Sequence, residues 1–170
     1  MKFKLAAALA AATLILGSAG AGRPAAASPT LGPLIAYGDW LSLRPSEADL
    51  RGRVVLVDIF TFGCFNCKNV TPNLRALYRK HDSRLAIIGV HTPETQYESE
   101  RKNVVENLAA QGIVWPVAVD NDHVLWNAYN TDSWPTQLIF DKHGTLRKTI
   151  VGYSQDDLVD TTIAQLLAEN

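Results

Sequence analysis

From residue 53 onward, short apolar runs alternate with longer stretches in which apolar side chains recur every three or four positions. Val54-Val55-Leu56-Val57-Asp58-Ile59-Phe60 is apolar and largely β-branched apart from Asp58, the pattern of a strand buried on both faces. Thr61-Phe62-Gly63 and two cysteines follow, and then Val70, Leu74, Leu77 and Tyr78 share one face at helical spacing. Pro72 falls inside that pattern; it is expected to kink or interrupt the helix, because proline donates no backbone hydrogen bond and its ring crowds the preceding turn. Leu85-Ala86-Ile87-Ile88-Gly89-Val90 predicts a second buried strand. A helix-length connection between two such strands predicts parallel pairing, so a β-α-β unit organises the domain.

Beyond that unit, residues 99–111 place Val104, Val105 and Leu108 among charges, with Gly112 where a helix would stop. Residues 114–119 predict a short strand, assigned to an edge or a strand start by Pro116, and residues 122–129 a short helix. Residues 136–141 and 146–151 predict two strands around the turn Lys142-His143-Gly144. Ser154, with Asp157 three residues on, is expected to cap a last helix that buries Leu158, Ile163, Leu166 and Leu167. No internal repeat interrupts this order, and one α/β domain over residues 39–170 accounts for it.

The N-terminal pattern is different. Lys2 and Lys4 precede an apolar run over residues 5–16, and small residues follow with two A-x-A sites, Ala19-Gly20-Ala21 and Ala25-Ala26-Ala27. The run is shorter than the roughly 20 residues that span a bilayer, so residues 1–27 are expected to be a cleaved export signal rather than a membrane anchor. Residues 28–38, rich at first in Pro, Gly and Ser, are expected to be a linker. A periplasmic or secreted domain follows. No cysteine precedes Cys64, which excludes a lipid-modified cysteine at the cleavage site.

Composition narrows the function classes. The 170 residues are 47% hydrophobic and 19% charged, with net charge −1, which excludes a disordered, collagen-like or multi-span membrane protein. Removing residues 1–27 takes away Lys2, Lys4 and Arg23 but no acid, and 13 basic side chains then face 17 acidic ones. A mildly acidic domain gives no reason to expect nucleic acid or an anionic membrane as partner.

Cys64 and Cys67 are the only cysteines. They fall where a buried strand ends and a helix begins, and there free backbone N–H groups and the helix dipole favour negative charge. A thiolate on Cys64 is the candidate nucleophile toward a disulfide, and Cys67, one turn on, can resolve the mixed disulfide. A purely structural disulfide is the alternative, but so short a loop contributes only about 2 kcal/mol, against about 3 for a 15-residue loop. A zinc site would need further ligands, and His81, His91, His123 and His143 show no ligand spacing. Haem attachment fails because Lys68 follows Cys67.

Asp58 is expected to have a raised pKa inside its apolar strand and to take the proton of Cys67; a strand-end aspartate bonded to backbone is the plainer reading. The Trp134–Pro135 bond is expected to be trans on base rates.

In this order the motifs resemble the thioredoxin superfamily, and most of all the C-terminal thioredoxin-like domain of DipZ-type thiol-disulfide interchange proteins, in the TlpA-like, redoxin group. The residues that carry the resemblance are Asp49-Leu50-Arg51-Gly52-Arg53-Val54-Val55-Leu56-Val57-Asp58, residues 61–67, Val90-His91-Thr92-Pro93-Glu94, Val117-Ala118-Val119-Asp120-Asn121-Asp122 and Trp134-Pro135. The resemblance implies a thioredoxin fold: a central mixed sheet flanked by helices, with an extra crossover insertion after the second core strand. It implies that Pro135 is a cis-proline facing the disulfide, that the Trp134 backbone pairs with substrate, and that Asp58 is the buried acid. His91 and Glu94 are read as scaffold. Gly63 stands where relatives commonly have tryptophan, and Val70 where TlpA-like reductases often have glutamate.

The expected activity is thiol–disulfide exchange through Cys64 and Cys67 with cysteines of other exported proteins, more as a reductase than an oxidase. Phe65, Trp134 and Pro135 would contact substrate. No metal or organic cofactor is called for, a separate membrane thiol donor would supply electrons, and a monomer is expected. The alternatives are a thioredoxin-fold binding module that presents Phe62, Phe65 and Trp134 to a partner, and a thiol peroxidase-like enzyme.

Overall fold

The structure, a computed structural model, describes residues 29–81 and 83–169; the expected export signal lies outside them. Five strands, β1 (Val54–Phe60), β2 (Leu85–His91), β3 (Val117–Val119), β4 (Thr136–Phe140) and β5 (Leu146–Val151), form one sheet in the order β3-β2-β1-β4-β5. β1 pairs parallel with β2 and antiparallel with β4, and β2 pairs parallel with β3. The sheet is therefore mixed, as the resemblance implies.

Every residue of β1 and β2 is buried, because helices cover both faces of the sheet. Val54, Leu56 and Phe60 point into one core layer with Val70, Leu74 and Leu77 of α3 (Phe65–His81) and Ile163 and Leu166 of α7 (Asp156–Ala168). Val55, Val57 and Ile59 point into the other, with Leu34 of α1 (Gly32–Ala36) and Leu125 of α6 (Val124–Ala128). Each fully buried aliphatic or aromatic side chain contributes about 1.5–3 kcal/mol relative to exposure, so the two central strands anchor the fold.

Four expectations change in detail. α3 is continuous through Pro72, and the Thr71 hydroxyl donates to the Cys67 carbonyl at 3.0 Å next to the hydrogen bond that proline cannot make. β3 begins only after Pro116, which has no N–H to give the ladder although its carbonyl accepts from Gly89 N–H at 2.9 Å. The final helix buries Val159, Ile163, Leu166 and Leu167, whereas Leu158 is exposed: positions i, i+4, i+7 and i+8 from Val159 make the stripe, and Leu158 falls off it. Ser154 takes a left-handed turn (φ 64°) before the helix, and Gln155 occupies the cap position without a side-chain hydrogen bond.

The stretch expected to be a linker packs onto the domain. Leu31 and Leu34 are buried in the second core layer, and Thr30 bridges to Thr145. Farther along, Leu41 N–H donates to the Val117 carbonyl and Val119 N–H to the Asp39 carbonyl, at 3.0 and 2.9 Å. The open edge of β3 is thus covered, which removes a template for unwanted strand pairing. Between β2 and β4 the chain forms α4 (Gln96–Ser99), α5 (Arg101–Ala110), β3 and α6. Among the described residues no helix is long and apolar enough to cross a membrane.

Candidate active site

β1 leaves the sheet at Phe60 and enters the turn Thr61-Phe62-Gly63-Cys64, closed by the Cys64 N–H to Thr61 carbonyl bond at 3.3 Å. Cys64 then occupies the cap position of α3. Its carbonyl accepts the Lys68 N–H at 3.2 Å, and its Sγ accepts the Cys67 N–H at 3.2 Å. A sulfur atom here does what a serine or aspartate oxygen does at other helix starts, satisfying an N–H with no partner inside the helix. The same N–H and the positive end of the helix favour a thiolate when the sulfur is reduced.

Cys64 and Cys67 are joined by a disulfide, with Cα atoms 5.3 Å apart. The two sulfurs differ in access. Cys67 is buried among Val70, Leu74 and Phe62, and Cys64 is half-exposed. An incoming sulfur can therefore reach Cys64 and is kept from Cys67.

Asp58 is buried on the face of β1 that carries Leu56 and Phe60, the layer into which Cys67 packs. Its partner across the antiparallel ladder is Gln137 of β4. Burial pushes the Asp58 carboxyl up to about 7, with the Gln137 amide pulling the other way, and one of its oxygens has no hydrogen-bond partner. A carboxyl in this state gains or loses a proton near neutral pH, as a proton acceptor for a buried thiol must.

The Trp134–Pro135 peptide is cis, as the resemblance implies and against the base rate for X-Pro bonds. The pair precedes Thr136, which pairs with Ile59, so it flanks the end of β1 from which the cysteine turn departs. Trp134 is half-buried, donates its indole N–H to the Thr92 carbonyl at 3.0 Å and packs 4.4 Å from the Trp126 ring. Phe65, at the first position of α3, is 73% exposed. Phe62 is not: it is buried and stacked on His91 with ring centroids 5.4 Å apart. The exposed apolar group beside it is Tyr97, edge-on to Phe62 at 5.9 Å.

A thioredoxin-like family profile matches residues 52–146. The chain belongs to the thioredoxin-like family. The protein DipZ of Mycobacterium tuberculosis is 39% identical over 119 residues, which are 69% of this chain and 17% of DipZ. The chain thus spans about a sixth of that relative's length. The thiol-disulfide oxidoreductase YkuV of Bacillus subtilis is 28% identical over 131 residues, covering 76% of this chain and 88% of YkuV. Among solved structures, the solution structure of a thioredoxin-like protein in its oxidized form aligns with TM-score 0.75 and 26% identity, over 85% of this chain and 97% of that one.

In this thioredoxin-like chain Asp58, the Cys64–Cys67 disulfide and Trp134-Pro135 all lie on or beside the exit of β1. His91 lies under them, buried between Phe60 and Phe62, its Nε2 3.3 Å from the Thr61 hydroxyl, and burial holds its ring down to about 4. Two neighbours are absent from the sequence reading. Gln137 faces Asp58 from a strand nearly 80 positions away. Glu98 lies against Gly63; its only local signal is Thr95-x-x-Glu98, a capping-box pattern ahead of a helix.

Proposed function

We propose that this protein is an exported thiol–disulfide oxidoreductase that reduces disulfides in other exported proteins. The observation that carries the reading is the asymmetry of the cysteine pair: Cys64 is half-exposed at the cap of α3 while Cys67 is buried in the core layer on the face of β1 that carries Asp58, whose carboxyl burial pushes up to about 7. That arrangement suits a nucleophile that substrates reach first and a second thiol reserved for resolution.

In the reducing direction the Cys64 thiolate attacks one sulfur of a substrate disulfide. A Cys64–substrate bond forms, the substrate S–S bond breaks, and the departing substrate thiolate takes a proton from solvent. Asp58 accepts the Cys67 proton as Cys67 attacks Cys64 Sγ. The Cys64–Cys67 disulfide closes, the second substrate thiol leaves, and two electrons have passed to the substrate. A separate thiol donor, membrane-bound in this reading, returns the pair to the dithiol. Phe65, Trp134 and the backbone around Pro135 offer an apolar rim for an extended substrate segment.

The test is trapping with the full chain in cells. Cys67→Ser should accumulate mixed disulfides through Cys64 with exported, cysteine-containing proteins, and Cys64→Ser should trap none. Equal behaviour of the two variants, as a binding module would give, overturns the reading.

A further inference from the structure

Glu98 is 5% exposed in α4, where a charged side chain is seldom placed without a partner. Its Oε2 accepts two backbone N–H bonds, from Glu94 at 2.8 Å and Thr95 at 2.9 Å, and the Thr95 hydroxyl accepts Glu98 N–H in return. Its Oε1 is turned toward Gly63. A Cβ added at residue 63 would lie 1.9 Å from that oxygen and 3.1 Å from the carboxyl carbon. A side chain at residue 63 would have to push the Glu98 carboxyl off this position, and glycine leaves it in place. Among the described residues no ion pair joins Glu98.

A capping box is completed by glutamate or glutamine alike. The cap therefore accounts for a polar group at residue 98, but not for a charge held against the residue peptide-bonded to the nucleophile. We propose that the Glu98 carboxylate is a positioning and charge-setting residue for Cys64, disfavouring the Cys64 thiolate and biasing the Cys64–Cys67 pair toward its disulfide. This rests on the reading of Cys64 as nucleophile.

The charges around Cys64 oppose one another. On α3, the Cys67 N–H, the helix N-terminus and Lys68 favour a thiolate. From α4, Glu98 opposes them, and Asp58 on β1 adds negative charge when it is ionised. His91 on β2, beneath the turn, contributes no charge near neutral pH because burial keeps it unprotonated. A like charge raises a thiol's pKa, and a couple whose reduced form is less stable is the stronger electron donor. Glu98 thereby pushes the pair in the reducing direction.

Glu98→Gln keeps the shape and the cap and removes the charge. We expect the Cys64 pKa, read from ultraviolet thiolate absorbance, to fall by about one unit. The equilibrium against glutathione should move about tenfold toward the dithiol, which is about 30 mV. A role confined to capping, which glutamine preserves, would leave both readouts and the thermal stability unchanged. If the parent protein exchanges reversibly with glutathione and Glu98→Gln matches it in both, the proposal fails alone. If the parent does not exchange, the oxidoreductase reading falls with it. Glu98→Asp, which keeps the charge but withdraws it by one methylene, should shift both readouts the same way by less; an unchanged or raised Cys64 pKa in that variant also overturns the proposal.

Discussion

Asp58 and Asp120 are both buried aspartates at the site end of the sheet, and their surroundings are opposite. Asp120, just after β3, accepts from the Thr92 hydroxyl at 3.1 Å, from Leu125 N–H at 3.0 Å and from Trp126 N–H at 2.9 Å. It ties the end of β2 to the start of α6. Asp58, within β1, has the Gln137 amide on one side and an oxygen with no partner on the other. A buried carboxylate whose lone pairs are filled holds structure together; one left short of donors holds a proton. Within β1 itself Asp58 is the one polar residue, set between the apolar residues 54–57 and Ile59-Phe60.

The largest effect that would test this contrast is on stability. Asp120→Ala strands the buried Leu125 N–H and Thr92 hydroxyl and the part-buried Trp126 N–H, each costing about 1–3 kcal/mol, so a loss of about 4 kcal/mol is expected. Chemical denaturation of the oxidised protein measures it. A loss below about 1 kcal/mol would mean that water or repacking serves these donors, and the structural half of the comparison would be wrong.

Next in size is an effect on rate. Asp58→Asn should leave the fold intact and slow the closing of the Cys64–Cys67 disulfide by about 100-fold at neutral pH, the scale of a lost proton acceptor. The first attack by Cys64 should be little changed. Stopped-flow resolution of a preformed Cys64 mixed disulfide separates the steps. Equal resolution rates in parent and variant would reduce Asp58 to a buried structural acid.

Much of this was legible in the sequence, and the boundary is physical. β1, α3 and the cysteine pair are legible because hydrophobic period and helix-start chemistry act over a few residues. The raised carboxyl of Asp58 follows from one acid in an apolar run. What escaped depends on contacts far apart in the chain. Phe62 looks exposed beside a turn until His91, 29 positions later, stacks on it. Residues 29–38 look like a linker until Leu31 and Leu34 find the second core layer. The Thr95–Glu98 cap is local, yet its contact with Gly63 is not; Leu158 is a different case, since the helical spacing of Val159, Ile163, Leu166 and Leu167 already sets it apart.

The smallest effect sharpens the comparison through pH. The Asp58 carboxyl moves from 3.8 to about 7 on folding. Between those values the native state keeps a proton that the unfolded chain has released, so this group lowers stability as pH rises, by about 1.4 kcal/mol per pH unit. His91 moves from 6.5 down to about 4. Between those values the unfolded chain holds a proton that the native state lacks, so this group raises stability with pH at the same rate. The two slopes oppose each other from about pH 4 to 6.5, where the parent should show little dependence from this pair. Asp58→Asn should uncover the histidine, with stability falling on acidification through that window; His91→Phe should uncover the aspartate, with stability rising on acidification. Subtracting the parent's denaturation midpoints at each pH cancels the other titrating groups. Difference curves of the same sign, or flat ones, would mean that one of the two buried groups does not keep its neutral form in the folded protein.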